Sequence, residues 1–268
     1  MNILTLNAMK ETIVLSNSGE YDITLDTVLE ANIEIKEHVN AVVLLKLVNM
    51  DSINVTFNVH TGANVKVLHQ CSKTITLNET ANIFYAASLN SGFYVLDEIA
   101  SNMNVKYYLK ESEASATLMT STLSADKNVY DVECIHEVPM TSSMMENYAI
   151  SKESGNYTIT ASGKILKGAY GSKSHQSTRV LTMGEKQNAS VTPLLLIDEN
   201  DVEASHACAV GAMNEDHLYY LKTRGLNDTQ ALGLLTLSYV LPLLRIVEGS
   251  SFEEIIEKEI ESKVGLSC

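Results

Sequence analysis

The segment Ile53–Val59 reads Ile-Asn-Val-Thr-Phe-Asn-Val, with an apolar residue at every second position. Such alternation is typical of a β-strand that buries one face. Apolar centres of this kind recur about every ten residues, with short polar turns such as Thr61–Asn64 between them. The later centres are Val65–Val67, Ile75–Leu77, Ile83–Tyr85, Tyr94–Val95 and Val105–Tyr107. Because no long helical pattern interrupts the chain from about 40 to 210, the sequence predicts a mainly β protein.

Many short, evenly spaced strands are compatible with a sandwich, a barrel or a β-solenoid. The turns lack the Asn-Gly and Asp-Gly pairs that tight hairpins prefer. Two strands of this spacing would make one flattened coil of about twenty residues, and stacked coils would bury a continuous core. The pattern therefore favours a solenoid, while a sandwich, which shares the strand spacing, stays open at this point.

The character of the sequence changes after Gly211. Asn227 and Gln230 have the spacing of a capping box, which satisfies backbone N–H groups at the start of a helix. The helix that follows runs from Gln230 to about Val247 and is apolar nearly all round, so we expect it to be buried on several sides. Pro242 should kink or break it, because proline cannot donate the backbone hydrogen bond that a helix interior needs.

A second capping box is predicted at Ser251 and Glu254, opening an amphipathic helix that Gly265 would terminate. The chain thus divides into a β body and a small helical unit. The predicted divisions are lead-in strands at 1–39, a β-helix core at 40–225 and a C-terminal helical unit at 226–268.

The composition narrows the classes of function. The chain has 268 residues, 45% of them hydrophobic, which is enough to bury a full core. Its 19 Lys and Arg residues against 33 Asp and Glu residues give a net charge of −14. Nucleic-acid binding and electrostatic membrane docking both need a basic surface, so neither partner is expected. The apolar stretch Thr229–Leu244 is shorter than the roughly 20 residues of a membrane span, and a buried helix is expected instead.

The cysteines and the N-terminus predict a cytoplasmic location. Four cysteines, Cys71, Cys134, Cys208 and Cys268, are scattered without a Cys-x-x-Cys pair, so we expect free thiols in a reducing compartment. The first fifteen residues show no basic segment followed by a long apolar run, so no signal peptide is expected.

Few motifs in the sequence indicate a catalytic or ligand-binding site. Phosphate-binding glycine loops are absent, so we expect this chain to bind no nucleotide. Two pairs remain, Cys134 with His136 and His206 with Cys208, each at a spacing that puts both side chains on one face of a strand about 7 Å apart. Thiolate and imidazole are common ligands of iron and other transition metals. Free cysteine is also a common core residue, and both interpretations stay open from spacing alone.

The last third of the β body resembles a known family. The segment Ser205–Gly211, Ser-His-Ala-Cys-Ala-Val-Gly, is followed by Tyr-Tyr-Leu within His217–Leu221 and by Arg-Gly within Thr223–Leu226. This combination resembles the SufB/SufD family of the Suf iron–sulfur cluster assembly machinery. Two upstream segments, Ile135–Ser143 and Gly163–Ile165, are similar to family segments as well.

The resemblance implies a fold and a role. The fold would be a right-handed parallel β-helix followed by a helical C-terminal unit. The role would be that of a scaffold, not an enzyme, in which two related subunits pair and nascent clusters form near their junction. The C-terminal helices of each subunit would hold one copy of the ABC-type ATPase SufC. The partner subunit could be SufB-like or a second copy of this chain.

Individual residues place the chain closer to SufD than to SufB. SufB-type chains carry a cysteine on the strand that here reads Ser177–Leu181, and a glutamate where this chain has Ala207. In SufD the matching histidine is tied to cluster assembly, so the resemblance makes His206 the expected ligand of a transient iron–sulfur cluster at a subunit interface. Cys208 stands where the family usually has a threonine. It is either incidental or a second metal ligand that replaces the missing thiol in a chain that pairs with a copy of itself.

Two other classes of function compete with the scaffold. A β-helix enzyme acting on carbohydrate would need paired carboxylates and stacking aromatic residues. The chain has no Trp, only 6% aromatic residues and no evident carboxylate pair. A purely structural solenoid would place no histidine–cysteine pair at an interface. The resemblance favours the scaffold over both.

Overall fold

The computed structural model of the chain describes residues 1–71 and 73–264. These residues form seventeen β-strands followed by three α-helices and one 3₁₀ helix. Strands β1 to β17 are Asn2–Leu6, Lys10–Leu15, Gly19–Asp26, Glu30–Ile35, Asn40–Val48, Ser52–Val59, Asn64–Cys71, Ile75–Ile83, Ser88–Val95, Ser101–Leu109, Ser115–Ser124, Lys127–His136, Ser142–Ser151, Asn156–Ile165, Ser172–Thr182, Asn188–Ile197 and Val202–Ala212.

Consecutive strands alternate between two sheets. Odd-numbered strands form one sheet in sequence order, here called the odd sheet, and even-numbered strands form the even sheet. Neighbouring strands pair in parallel, so each pair of consecutive strands completes one coil. The predicted parallel β-solenoid is therefore confirmed, and the antiparallel sandwich is excluded. The four strands before residue 40 pair within these same two sheets.

Every second side chain of a strand faces the interior between the two sheets. In β6, Ile53, Val55, Phe57 and Val59 are each at most 1% exposed, as the alternation predicts. Full burial of an aliphatic or aromatic side chain contributes roughly 1.5–3 kcal/mol relative to exposure. Because the register repeats from coil to coil, these side chains stack into a continuous core, and the coils stabilise one another.

The interior changes from apolar to polar along the solenoid. One inward column of the odd sheet, followed from the N-terminal to the C-terminal coils, shows the change. It consists of Ile23, Leu45, His69, Phe93, Thr120, Asn147, Thr178 and Cys208. Hydrophobic burial therefore supports the early coils most strongly, while the later coils also depend on hydrogen bonds between side chains.

Glycine is required at one corner of the coil. Gly62 has a φ of +66°, in the left-handed region, and a Cβ atom added to it would lie 2.4 Å from Nδ1 of His38 in the corner of the preceding coil. Its N–H donates to the carbonyl of Tyr85 in the next corner, at 2.9 Å. Such hydrogen bonds hold the corners of successive coils together, as the backbone hydrogen bonds of the sheets hold the strands.

The helices are α1 (Glu215–Thr223), α2 (Asp228–Val240), the 3₁₀ helix (Leu241–Ile246) and α3 (Glu253–Lys263). The first helix, α1, begins three residues after the last strand of the solenoid. The capping box of α2 is confirmed, since Asn227 Oδ1 accepts from the N–H of Gln230 at 2.9 Å and Gln230 Oε1 accepts from the N–H of Asn227 at 3.1 Å. The predicted break is confirmed as well, because α2 gives way to the 3₁₀ helix at Pro242.

The prediction of a second capping box, at Ser251 and Glu254, is wrong. The N–H of Ser251 donates to Glu20 Oε1 at 3.0 Å, and its hydroxyl donates to the other oxygen of the same carboxylate. The Ser251 side chain is therefore engaged by β3, and α3 begins at Glu253 without a side-chain cap. These hydrogen bonds lower the pKa of Glu20. The predicted end at Gly265 lies outside the described residues.

The helical unit folds back over the outer face of the odd sheet. Gly92 of β9 lies at the contact, where an added Cβ would meet Leu243 and Ile246 at 3.0 Å. Both of these side chains are buried, as the apolar pattern predicts. The helical run Asp228–Ile246 is, among the described residues, the one long and apolar enough to cross a membrane by length and composition. The solenoid residues buried against the helices are Leu44, Leu68, Tyr94, Met119, Leu123 and Ile150 on strands and Leu96 directly after β9.

Candidate functional site

The last coil of the solenoid is open on one side. Its strands β16 and β17 are the outermost members of the two sheets, and each pairs with one neighbour within the described residues. Val210 on β17 is 47% exposed, whereas its inward column mate Val180 on β15 is 2% exposed. The apolar core is therefore exposed at this end of the solenoid, and the unpaired edges of β16 and β17 lie at the same end.

His206 and Cys208 both lie at inward positions of this open coil. In register with them on β15 are Gln176 and Thr178, which are buried. His206 and Cys208 therefore point the same way along the core, as their spacing predicted, and both are exposed because no further coil covers them. Cys208 lies directly above the strand on which the resemblance places a cysteine in SufB-type chains.

A chain of hydrogen bonds leads through the interior to the Cys208 position. The Thr120 hydroxyl donates to Oδ1 of Asn147 at 2.9 Å, and Nδ2 of Asn147 donates to Oγ1 of Thr178 at 3.2 Å. The amide of Asn147 fixes the direction of this chain, because its oxygen accepts and its nitrogen donates. The hydroxyl proton of Thr178 is thus left for another acceptor, on the side where the next residue of the column is Cys208.

The outer face of β17 is tied to β15 by polar contacts. Nδ1 of His175 lies 2.7 Å from Oγ of Ser205, and Lys173 Nζ lies 2.9 Å from a carboxylate oxygen of Glu203. The hydrogen bond from Lys173 lowers the pKa of Glu203. These contacts lie on the opposite face from His206, so they hold the strand in place while the inward face stays free.

The other predicted pair, Cys134 and His136, belongs to the core. Both side chains are fully buried on β12. Nδ1 of His136 lies 2.7 Å from Oγ1 of Thr141, and its Nε2 lies 2.8 Å from Oγ of Ser143, so both ring nitrogens are engaged. Burial lowers the pKa of His136 to about 4 and raises the pKa of Cys134 to about 12. A neutral, hydrogen-bonded imidazole and a protonated thiol stabilise the interior and leave no open position for a metal.

A second buried polar group lies in the middle of the solenoid. Nε2 of His69 is 2.7 Å from a carboxylate oxygen of Glu79, although not in the geometry of a linear hydrogen bond, and Tyr107 donates its hydroxyl proton to the other oxygen. The ring of His69 stacks on Phe93 with centroids 4.1 Å apart. Burial and the adjacent Glu79 carboxylate raise the pKa of Tyr107 well above its ordinary value. This group is enclosed on all sides and serves the core.

His206 and Cys208 are two side chains of metal-ligating type on one face of the open coil. The described residues contain no cluster of three or more His, Cys, Asp and Glu side chains that could hold a metal ion. An open groove of about 380 Å³ runs beside Cys208 and is bordered by Arg179, Val210 and Tyr239 among others.

The helical unit carries a separate exposed surface. Tyr219 and Tyr220 on α1 are 72% and 55% exposed, and Leu234 on α2 is 43% exposed. Helix α1 buries none of its own residues. Apolar and aromatic residues grouped in this way are typical of a surface that a partner covers.

Sequence reasoning missed Gln176 and Thr178 beneath the two predicted ligands. A signal for them was present, because the inward positions of β15 carry polar side chains where earlier strands carry aliphatic ones. These positions are Ser172, Ser174, Gln176 and Thr178. A strand that keeps its alternation but loses its apolar residues indicates an interior that is used for more than packing.

Comparison with protein families gives one match over most of the chain. Residues 24–239 match the family described as SUF system FeS cluster assembly, SufBD core domain. The match covers nearly all of the solenoid, the segment with His206 and Cys208, and helices α1 and α2.

Individual relatives agree with this match. The iron–sulfur cluster assembly protein SufD of Bacillus subtilis is 30% identical over 135 residues, which are 50% of this chain and 31% of that protein. SufB of the same organism is 25% identical over 175 residues, or 62% of this chain and 38% of that protein. A SufBD family protein of Mycobacterium tuberculosis is 24% identical over 175 residues, covering 62% of this chain and 21% of that protein. The matched segments thus span about two fifths or less of each of these relatives.

Proposed function

Because the chain belongs to the SufBD core family of the SUF system of iron–sulfur cluster assembly, we propose that it is a scaffold subunit of a Suf-type complex in the cytoplasm. In this role it catalyses no reaction itself and binds no nucleotide. The observation that carries the proposal is the position of His206, inward-facing on an open coil and next to Cys208. The cluster is the cargo of this scaffold.

The free edge of β17 supports pairing with a second subunit. An exposed strand edge presents unpaired backbone groups that readily add another strand. The outward side chains of β17 are small after Glu203, namely Ser205, Ala207, Ala209 and Gly211, and the strand contains neither Lys nor Pro to block an approaching strand. We take the partner to be a second copy of this chain or a SufB-like subunit. Its last coil would cover the exposed end of the core.

Pairing at β17 would complete the ligand set. In a symmetric dimer the same surface of both subunits meets, so His206 and Cys208 of one chain face their counterparts near the twofold axis. Two imidazoles and two thiolates are four protein ligands, a number that suits a small iron–sulfur cluster. The groove of about 380 Å³ beside β17 provides space for the cargo next to these ligands.

The helical unit is the proposed docking surface for an ABC-type ATPase like SufC. Tyr219, Tyr220 and Leu234 expose aromatic and apolar area on α1 and α2, and the rest of the unit is anchored on the odd sheet through buried residues such as Phe252. A movement of the ATPase would therefore be transmitted to the solenoid through a rigid contact. The α1 end of this unit directly follows β17, which brings the docking surface close to the cluster site.

Co-expression with a SufC-like ATPase followed by size-exclusion chromatography tests the docking surface. The full-length chain should elute with the ATPase, and deletion of residues 227–268 should abolish the complex. The double variant Tyr219→Ser, Tyr220→Ser should weaken it, whereas the double variant Tyr85→Ser, Tyr170→Ser, which changes two exposed tyrosines of the solenoid, serves as the matched control. Unchanged ATPase affinity after the deletion would count against the assignment.

The subunit junction is tested in the same way with a charged substitution. Val210→Asp would place a carboxylate at the open end of the core and should convert dimers to single subunits. Val14→Asp, on the outer face of β2, changes a valine of similar exposure and should leave the dimer intact. An identical elution volume for wild type and Val210→Asp would exclude pairing through β17.

A further inference from the structure

The buried amide of Gln176 has a bonded nitrogen and an unpaired oxygen. Gln176 is 3% exposed, and its Nε2 donates to the backbone carbonyl of Leu194 at 2.7 Å. A carbonyl can only accept, so this contact fixes which way the amide faces. Its Oε1 is buried and has no hydrogen-bond partner among the described residues. Buried acceptors are nearly always paired in folded proteins, so we expect a hydrogen-bond donor for this oxygen.

The opposite strand leaves room for this amide. A Cβ atom added to Gly163 on β14 would lie 3.0 Å from Nε2 of Gln176 and 2.3 Å from Oγ of Ser174. Any side chain at Gly163 would therefore displace one of these polar groups. The glycine keeps the interior open where the amide lies and so preserves its orientation toward the last coil.

The in-register neighbours of Gln176 determine which donor is available. They are Met145 on β13 and His206 on β17, and all three side chains share the inward face. In-register residues of neighbouring strands lie about 4.8 Å apart, within reach of a glutamine amide. Methionine has no hydrogen-bond donor, whereas a neutral imidazole has one N–H and one lone pair.

We propose that Gln176 is a positioning residue for His206: when the exposed ring of His206 turns inward, Gln176 Oε1 accepts the N–H of one ring nitrogen, and this hydrogen bond fixes the tautomer and the orientation of the ring. The lone pair of the other ring nitrogen then points out of the open coil. Metal-ligating histidines commonly donate their second N–H to an acceptor of this kind. The statement that this lone pair meets iron rests on the proposed function, whereas the contact between Gln176 and His206 does not.

The contact is tested by ¹⁵N NMR of the metal-free protein labelled at histidine. Ring nitrogen shifts distinguish the two neutral tautomers, and the His206 signals are identified by their loss in His206→Gln. We expect one tautomer to dominate at His206 in the wild type. In Gln176→Met, which keeps the length but removes the acceptor, the tautomer ratio should change to that of histidine in an unfolded peptide. Gln70→Met, which makes the same change at a glutamine on β7 whose amide donates to Glu259, is the matched control and should behave as wild type.

Two results would overturn the proposal. One is a peptide-like tautomer ratio at His206 in the wild type; the other is an unchanged ratio in Gln176→Met. If Gln176→Met does not fold, Gln176→Asn takes its place, since its amide is one methylene too short to bridge the two strands. Retention of the wild-type tautomer in Gln176→Asn would equally contradict the contact.

A second readout separates this contact from the cargo. Anaerobic titration with Fe²⁺ should show 10- to 100-fold weaker binding in Gln176→Met than in wild type, a loss typical when the hydrogen-bond acceptor behind a metal ligand is removed. A single dominant His206 tautomer in the wild type, together with normal cluster maturation in the His206→Ala variant, would support the contact and contradict the proposed function. A peptide-like tautomer ratio in the wild type, together with failed maturation in His206→Ala, would contradict the contact and support the proposed function.

Discussion

The early and the late coils of the solenoid share one architecture but differ in what fills them. Leu45 on β5 and Thr178 on β15 occupy the same inward column, yet one belongs to an aliphatic stack and the other to a chain of hydrogen bonds. The interior of the early coils gains its stability mainly from the burial of apolar side chains. The polar coils give up part of that gain to hold oriented donors and acceptors beneath His206. The difference indicates that stability and function are separated along the length of the molecule.

The largest expected effect is on stability in the aliphatic coils. Leu45→Ala should lower the free energy of unfolding by about 3 kcal/mol, because it removes a fully buried side chain and leaves a cavity. Thr178→Ala in the same column should cost less, about 1–2 kcal/mol, because it removes little apolar volume but leaves the buried amide of Asn147 without its acceptor. Urea unfolding followed by circular dichroism measures both. Equal losses would mean that the two ends contribute alike, contrary to the comparison.

The second largest effect is expected in the pH dependence of stability, through the buried His136 on β12. Burial lowers the pKa of His136 from an ordinary 6.5 to about 4. The unfolded chain therefore binds the proton first, so stability is fully present above pH 6.5 and is lost as the pH falls toward 4. The loss attributable to His136 should approach about 3 kcal/mol at pH 4. Urea midpoints of wild type and His136→Gln between pH 7 and 4 should converge as the pH falls; parallel curves would contradict this.

The smallest effect is expected at the open coil. Val210→Ala should change the stability of an isolated subunit by less than about 0.5 kcal/mol, because the side chain is already 47% exposed. Leu25→Ala, in the same inward column but fully buried on β3, should cost several times more. The same Val210→Ala substitution should weaken self-association at β17, which sedimentation velocity measures. A large stability loss without any effect on association would show that the last coil is not an interface.

Much of the fold followed from local patterns. The alternation in Ile53–Val59 predicted a half-buried strand, and Asn227 with Gln230 predicted the start of α2 correctly. Ser251 and Glu254 failed because Ser251 bonds to Glu20, a contact across 231 positions that no local pattern reveals. Helix α1 was not predicted, because a helix that buries none of its residues has no apolar stripe in its sequence.

The candidate site was predictable in part. His206 and Cys208 came from a motif resemblance, and their shared face came from the two-residue period of a strand. That they lie on an uncovered coil depends on where the stack of coils ends, which only the fold reveals. Gln176 was missed because its role depends on register with His206, 30 positions away along the chain, and on the space left by Gly163.

The central claim is that the inward face of the open coil holds the nascent cluster through His206. Its most direct test is anaerobic cluster reconstitution of the complex with the ATPase partner, followed by visible absorption spectroscopy. His206→Ala is compared with His175→Ala, which removes a histidine from the outer face of the neighbouring strand. The account predicts that wild type and His175→Ala acquire iron–sulfur absorption while His206→Ala stays at background. Wild-type absorption in His206→Ala would contradict it.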